Sequence, residues 1–135
     1  MSRVLTVRGK VSQGFGEGRK YVTKDPYREY FIKELGAEPY PGTLNLLTEY
    51  RYDEIASICP PSRIEFGQGS GALLVWRGGI SNMNGYADKV LILRPLLSRH
   101  PPNVIEAVSP ANLREKLGLT NGSTVTLRLE CGDPN

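Results

Sequence analysis

Apolar and polar residues alternate loosely over residues 3–11, Arg-Val-Leu-Thr-Val-Arg-Gly-Lys-Val, and a period near two with so much valine predicts a strand. A glycine loop follows at residues 14–18. Lys20-Tyr21-Val22-Thr23 predicts a second short strand, so residues 3–23 read as a hairpin-like unit. The period then changes. Tyr27, Tyr30, Phe31 and Leu35 fall at helical spacing behind Asp25-Pro26, with Asp25 as N-cap, Pro26 at the first helical position and Gly36 as the stop. Pro39-Tyr40-Pro41-Gly42 forces an extended, tightly turned entry into a strand over residues 43–47. Residues 51–58 suit a short helical turn. Strands are expected over 63–66, 72–77, 86–93 and 104–108, with glycine- or asparagine-rich turns between several of them. Ser109-Pro110 repeats the cap-then-proline signal before Leu113 and Leu117, a second short helix ending at Gly118. Residues 124–129 alternate as a last strand. About seven short strands, two short helices and no βαβ rhythm predict an all-β barrel with short helical inserts.

Composition narrows this. The 135 residues make one domain, spanning 1–135, long enough to bury a core without disulfides. Fifteen glycines and ten prolines exclude a helical bundle and suit many turns. No apolar run is long enough to span a bilayer, and the N-terminus lacks a signal-peptide core. Cys59 and Cys131 stand alone and His100 is the one histidine, so a zinc site is not expected. Free thiols and a cytoplasmic location are the expectation. Any metal is then a hard cation bound through oxygen.

Net charge is +3 but uneven: +5 over residues 1–24, −4 over 25–66 and +2 over 67–135. The basic first segment suits an anionic ligand, or is a solvated strand face. Two glycine clusters, Gly14-x-Gly16-x-Gly18 and Gly67-x-Gly69-x-Gly71, resemble phosphate-cradling loops. Neither carries the Gly-Lys-Ser/Thr ending of a Walker loop. Both precede strand-like residues, so no helix is expected to open at the glycines as a dinucleotide site requires. The first cluster lies in the basic segment and ends in Arg19, so it is the better anion loop. Both also read as hairpin turns.

Three further positions carry candidate chemistry. Thr43 and Asn45, two apart on a strand, project to one face and offer two neutral hard oxygens. Such a pair holds Mg²⁺ well only when a nucleotide's phosphates supply the negative charge; otherwise it satisfies backbone groups near the Pro-Gly turn. Glu106 interrupts the apolar run Val104-Ile105-Glu106-Ala107-Val108. It is either a solvent-face residue or a site residue, and burial would suit a site carboxylate to general-base work. His100 lies in the loop Ser98-Arg99-His100-Pro101-Pro102, where a lone histidine is ordinarily exposed.

Together these pieces resemble the archaeal CTP-dependent riboflavin kinases. The matching residues are Gly9-x-Val11-x-x-Gly14-x-Gly16-Glu17-Gly18, Pro39-Tyr40-Pro41-Gly42-Thr43-Leu44-Asn45, Leu93-Arg94-Pro95, Ser98-x-His100-Pro101, Glu106 and Asn112-Leu113-Arg114. They keep the family's order across nearly the whole chain, and the Pro-Tyr-Pro-Gly-Thr-Leu-Asn string is the specific part. The resemblance implies a six-stranded cradle-loop β-barrel, related to riboflavin-synthase- and kinase-like barrels. It implies transfer of the γ-phosphoryl group of CTP to the ribityl 5′-hydroxyl of riboflavin, giving FMN and CDP, in a cytoplasmic flavoprotein of FMN biosynthesis. It also implies site residues. Gly14, Phe15, Gly16, Glu17, Gly18 and Arg19 would line the nucleotide with Ala111, Asn112, Leu113 and Arg114. Thr43 and Asn45 would hold Mg²⁺, and Ser98 and Glu106 would contact the ribityl end of the flavin. Serine stands at 98 where the family usually has threonine; the hydroxyl is kept but its rotamer is less fixed. Glu106 is the expected acceptor of the ribityl proton.

The expected partners are two small molecules, riboflavin and CTP, with no nucleic acid, no membrane and a monomeric chain. Two rivals remain. A small basic barrel that binds nucleic acid would show aromatics beside Lys/Arg on one exposed face, yet Tyr27, Tyr30, Tyr40 and Tyr50 lie in the acidic middle. A catalytically silent barrel sensing a nucleotide or flavin would carry the same binding residues. The Gly/Asn-rich stretch 67–85 reads equally as a rigid hairpin or a lid.

Overall fold

The computed structural model describes residues 3–14, 16–67 and 71–132. Phe15 and Gly69, named above, lie outside the described residues. Seven strands and four short helices occur among those described, in the order β1 (Arg3–Ser12), α1 (Glu17–Val22), α2 (Tyr27–Leu35), β2 (Leu44–Thr48), α3 (Tyr52–Ile58), β3 (Ser62–Glu65), β4 (Ala72–Asn82), β5 (Gly85–Pro95), β6 (Val104–Val108), α4 (Leu113–Leu117) and β7 (Thr124–Cys131).

Six of the strands close on themselves. The sheet runs β3-β4-β5-β6-β2-β1-β7, and β4 pairs with β7 as well, so β4-β5-β6-β2-β1-β7 form a closed antiparallel barrel. Strand β4 serves two partners by dividing its length. Its first half pairs with β3 from Ala72 to Val75, and Gly78 to Ser81 pair with β7. The register slips between Gly78 and Ile80, and a Cβ on Gly78 would lie 1.8 Å from the Arg128 carbonyl oxygen. Closure therefore requires glycine there.

Two apolar layers follow from strand alternation. Val7, Val11, Leu44, Leu46, Trp76, Ile92, Ile105, Ala107, Leu127 and Leu129 fill the barrel with others. A second cluster lies on the outer wall, where Leu73, Val75, Leu91, Leu93 and Val108 meet Val22 of α1 and Phe31 and Leu35 of α2. Strand β6 is buried along its whole length because both of its faces are covered. The apolar run 104–108 is thus a two-sided strand, and its one carboxylate is enclosed.

Several expectations need correction. Residues 20–23 are not a strand: Lys20, Tyr21 and Val22 belong to α1, which opens at Gly16 in a left-handed conformation (φ 77°). Val22 is fully buried against the outer wall, so tertiary packing overrides the β-propensity of Tyr-Val. A helix does therefore open at the first glycine cluster. It lies between antiparallel strands, so no doubly wound nucleotide fold results. Helix α2 starts at Tyr27, with Pro26 rather than Asp25 in the cap position. The carbonyls of Lys24 and Pro26 take the N–H groups of Arg28 and Tyr30, so no side-chain cap is used. Gly36 ends the helix as expected (φ 73°). Helix α4 is capped by Asn112, whose Oδ1 accepts from the Glu115 N–H at 3.3 Å, while Ser109 Oγ accepts from the Ala111 N–H in the turn before it. Residues 72–82 are β4 and turn directly into β5, so most of the stretch 67–85 that the structure describes is hairpin.

The two cysteines are not free. Cys59 and Cys131 are joined in a disulfide across 72 residues. Cys59 ends α3 and Cys131 ends β7, and barrel closure brings the two ends together. The Trp76 indole N–H also donates to the Cys59 carbonyl at 2.6 Å. No helix among the described residues is long and apolar enough to cross a membrane.

Candidate active site

The site forms on the outer wall of the barrel, where α1 lies over the join of β2 and β6. Asn45 and Glu106 are direct cross-strand partners in that join, so their side chains share a face. Leu93 stands opposite Glu106 on the other side and belongs to the outer cluster, which fixes that face as the outer one. Thr43, just before β2, reaches the same place: its Oγ1 donates to Glu106 Oε1 at 2.8 Å. Tyr21 of α1 donates its hydroxyl to the same oxygen at 3.0 Å. Glu106 is 5% exposed. A carboxylate so enclosed is tolerable because charge-assisted hydrogen bonds replace its water.

The first glycine cluster packs directly on this group. A Cβ on Gly14 would lie 2.1 Å from Asn45 Nδ2, and one on Gly18 would lie 2.2 Å from Thr43 Oγ1. No other residue type lets the backbone come so close. The glycine loop and the Thr43/Asn45 pair, read separately in the sequence, are two sides of one contact.

Asn45 Oδ1 is buried with no hydrogen-bond partner. An orphaned neutral oxygen is costly unless something fills it. With Thr43 Oγ1 on the same face, the two neutral hard oxygens fit Mg²⁺. No cluster of three His, Cys, Asp or Glu that could hold a metal occurs among the described residues. A cation here would rest on neutral oxygens and on whatever charge its ligand brings.

A cavity of about 510 Å³ opens over these groups. Gly14, Gly16, Glu17, Gly18, Arg19, Thr43, Asn45, Ser98, Glu106 and Arg114 are among the residues that line it. A smaller cavity of about 250 Å³ is lined by Ala111, Asn112, Leu113 and Arg114 with Tyr40 and Ser109. The two share Gly42, Thr43 and Arg114, so the predicted nucleotide residues divide between adjoining spaces. The basic segment also divides. Arg19 and Lys20 line the large cavity, whereas Arg8 and Lys10 lie exposed on β1. Arg99 adds a cation at the rim and is paired with Glu17.

Sequence reasoning missed three participants. The β-propensity of Lys-Tyr-Val hides the spacing of three between Gly18 and Tyr21, a same-face relation on a helix. Burial first, then the facing Glu106, pushes its hydroxyl well above the usual tyrosine range, so it stays a donor. Tyr27 lines the large cavity and packs edge-on to Tyr21 at 5.5 Å. Arg94 is 6% exposed and organises the loop that holds Ser98 and His100. Its guanidinium donates to the carbonyls of His100, Pro101 and Val104 at 3.1, 2.9 and 2.9 Å and stacks on the Tyr52 ring at 4.6 Å. Burial lowers its pKa, with the Tyr52 and Glu106 charges acting the other way. Within that loop, Ser98 Oγ accepts from the His100 N–H at 3.0 Å.

Comparison with known proteins points to one family. The family model CTP-dep_RFKase, described as domain of unknown function DUF120, matches residues 11–129. A riboflavin kinase of Sulfurisphaera tokodaii is 34% identical over 95% of this chain and 97% of its own. One of Ignicoccus hospitalis is 34% identical over 93% of this chain and 71% of its own. One of Methanocella arvoryzae is 40% identical over 92% of this chain and 56% of its own. The barrel, the order of the motifs and these relatives agree, and the chain belongs to the CTP-dependent riboflavin kinase family of phosphotransferases.

Proposed function

We propose that the protein transfers the γ-phosphoryl group of CTP to the 5′-hydroxyl of riboflavin, giving FMN and CDP. The observation that carries this is the convergence of the backbone at Gly14 and Gly18, the Thr43/Asn45 oxygens and the buried Glu106 on the floor of one cavity. Phosphoryl transfer asks mainly for positioning and charge neutralisation. In this reading the ribityl oxygen bonds to the γ-phosphorus, and the bond from that phosphorus to the β–γ bridging oxygen breaks. CDP departs with that electron pair. Glu106 orients the hydroxyl and takes its proton.

The chain's residues then have distinct tasks. The backbone at Gly14, Gly16 and Gly18 wraps the phosphates, with Arg19 and Lys20 adding positive charge. The smaller cavity at residues 111–114 takes the nucleoside, and its polar groups select cytosine. Ser98 meets the ribityl chain on a loop that Arg94 keeps rigid. Thr43 and Asn45 would hold Mg²⁺, which would supply charge neutralisation at the phosphates.

The aromatic residues do not favour the nucleic-acid alternative: Tyr27 and Tyr30 pack on Phe66 at 4.4 and 5.6 Å rather than forming an open stacking platform. The test is incubation with riboflavin, Mg²⁺ and each of the four nucleoside triphosphates, with FMN read by chromatography. FMN from CTP in large excess over the other three is the expected result. FMN from none of them would favour a sensing barrel, and equal yields would remove the cytosine assignment.

A further inference from the structure

Glu106 receives both of its hydroxyl donors on one oxygen. Tyr21 and Thr43 converge on Oε1 at 3.0 and 2.8 Å, and no hydrogen bond reaches Oε2 among the described residues. A carboxylate offers about four lone-pair sites, divided between its two oxygens. Two donors saturate Oε1 and draw its electron density, which leaves Oε2 as the oxygen able to accept a proton.

Resting on the phosphoryl-transfer reading above, we propose that Tyr21 is a positioning residue: with Thr43 it occupies Oε1 of Glu106 and presents Oε2 to the acceptor hydroxyl of the substrate. The same helix ties this to the phosphate side of the site. Gly18 and Tyr21 stand three apart on α1, so they share a face; Gly18 lies on Thr43 and Tyr21 on Glu106. One short helix thus sets the distance between the backbone that holds the donor phosphates and the carboxylate that serves the acceptor.

The ring of Tyr21 is held without its hydroxyl. It meets Tyr27 edge-on at 5.5 Å and Phe31 at 6.4 Å, within the outer cluster. Removing the oxygen alone therefore leaves the packing in place, and Tyr21→Phe isolates the hydrogen bond.

The experiment compares steady-state kinetics of the parent, Tyr21→Phe, Glu106→Gln and the double variant with CTP, riboflavin and Mg²⁺, together with thermal melting of each. Tyr21→Phe is expected to lower kcat about tenfold or more while both KM values stay within about threefold and the melting temperature holds. Because Tyr21 acts through Glu106, the double variant is expected to be no slower than Glu106→Gln alone. The proposal is overturned by an unchanged kcat, by a loss confined to KM or to melting temperature, or by a double variant that loses the full Tyr21 factor again. A parent that forms no FMN from any nucleotide overturns the underlying reading as well, and the parent's own turnover separates that outcome from the others.

Discussion

The two glycine clusters look alike in sequence, but Gly14 and Gly18 of the first do different work from Gly67 and Gly71 of the second. At Gly14 and Gly18 the missing Cβ makes room, because each would collide with a site oxygen or nitrogen at little more than 2 Å. At Gly67 a Cβ would meet nothing within 4 Å, and the residue is glycine for its left-handed backbone (φ 93°). Gly71 is left-handed too (φ 72°) and meets only the flexible end of Leu97. Gly14 and Gly18 are glycine for their neighbouring side chains, whereas Gly16 between them, like Gly67 and Gly71, is glycine for its own left-handed dihedrals. A repeated glycine pattern therefore says little until the surface it approaches is known.

The sharpest way to break this contrast is to remove the surface on which the first cluster rests. Thr43→Ala with Asn45→Ala is expected to abolish Mg²⁺-dependent turnover, a loss of about a thousandfold or more, while circular dichroism shows a folded protein. Full activity in that variant would sink the metal assignment. A smaller effect comes from filling the contact itself. Gly18→Ala drives a methyl group against Thr43 and is expected to lower kcat/KM for CTP about ten- to a hundredfold. Its counterpart Gly67→Ala is expected to cost about 1–2 kcal/mol of stability through the left-handed backbone, with turnover of the folded enzyme kept. Equal losses of activity in the two would erase the distinction between the clusters.

Away from both clusters, Cys131→Ser opens the 72-residue covalent loop. It is expected to cost about 2–4 kcal/mol, seen as a lower melting temperature with activity retained in the cold; an unchanged melting temperature would contradict the bridge. The smallest effect is expected at Ser98→Thr. The hydroxyl that accepts from the His100 N–H is kept, so turnover should stay within about threefold. An inactive enzyme there would count against placing Ser98 beside the ribityl chain.

The barrel was legible because most of its strands face the interior with alternate residues, and β1 and β7 show that period plainly. The site was legible only in pieces. Glu106 stands in an apolar run because β6 is covered on both faces, and periodicity alone does not show which face a carboxylate takes. Tyr21 was hidden by the local β-propensity of Lys-Tyr-Val, which the buried Val22 contact overrides in favour of α1. The pairing of Cys59 with Cys131 had no local signal at all; it depends on β7 returning beside the end of α3. Motif order supplied the family, and geometry supplied what each motif touches.

The central claim is that the buried Glu106 performs the proton chemistry of the transfer at the floor of the glycine-lined cavity. Its most direct test pairs two readouts on Glu106→Gln: riboflavin binding by flavin fluorescence and FMN formation from CTP in the same preparation. The account predicts riboflavin affinity close to that of the parent and a kcat about a hundredfold lower or less than that. Parental turnover, or a defect confined to riboflavin affinity, would contradict it.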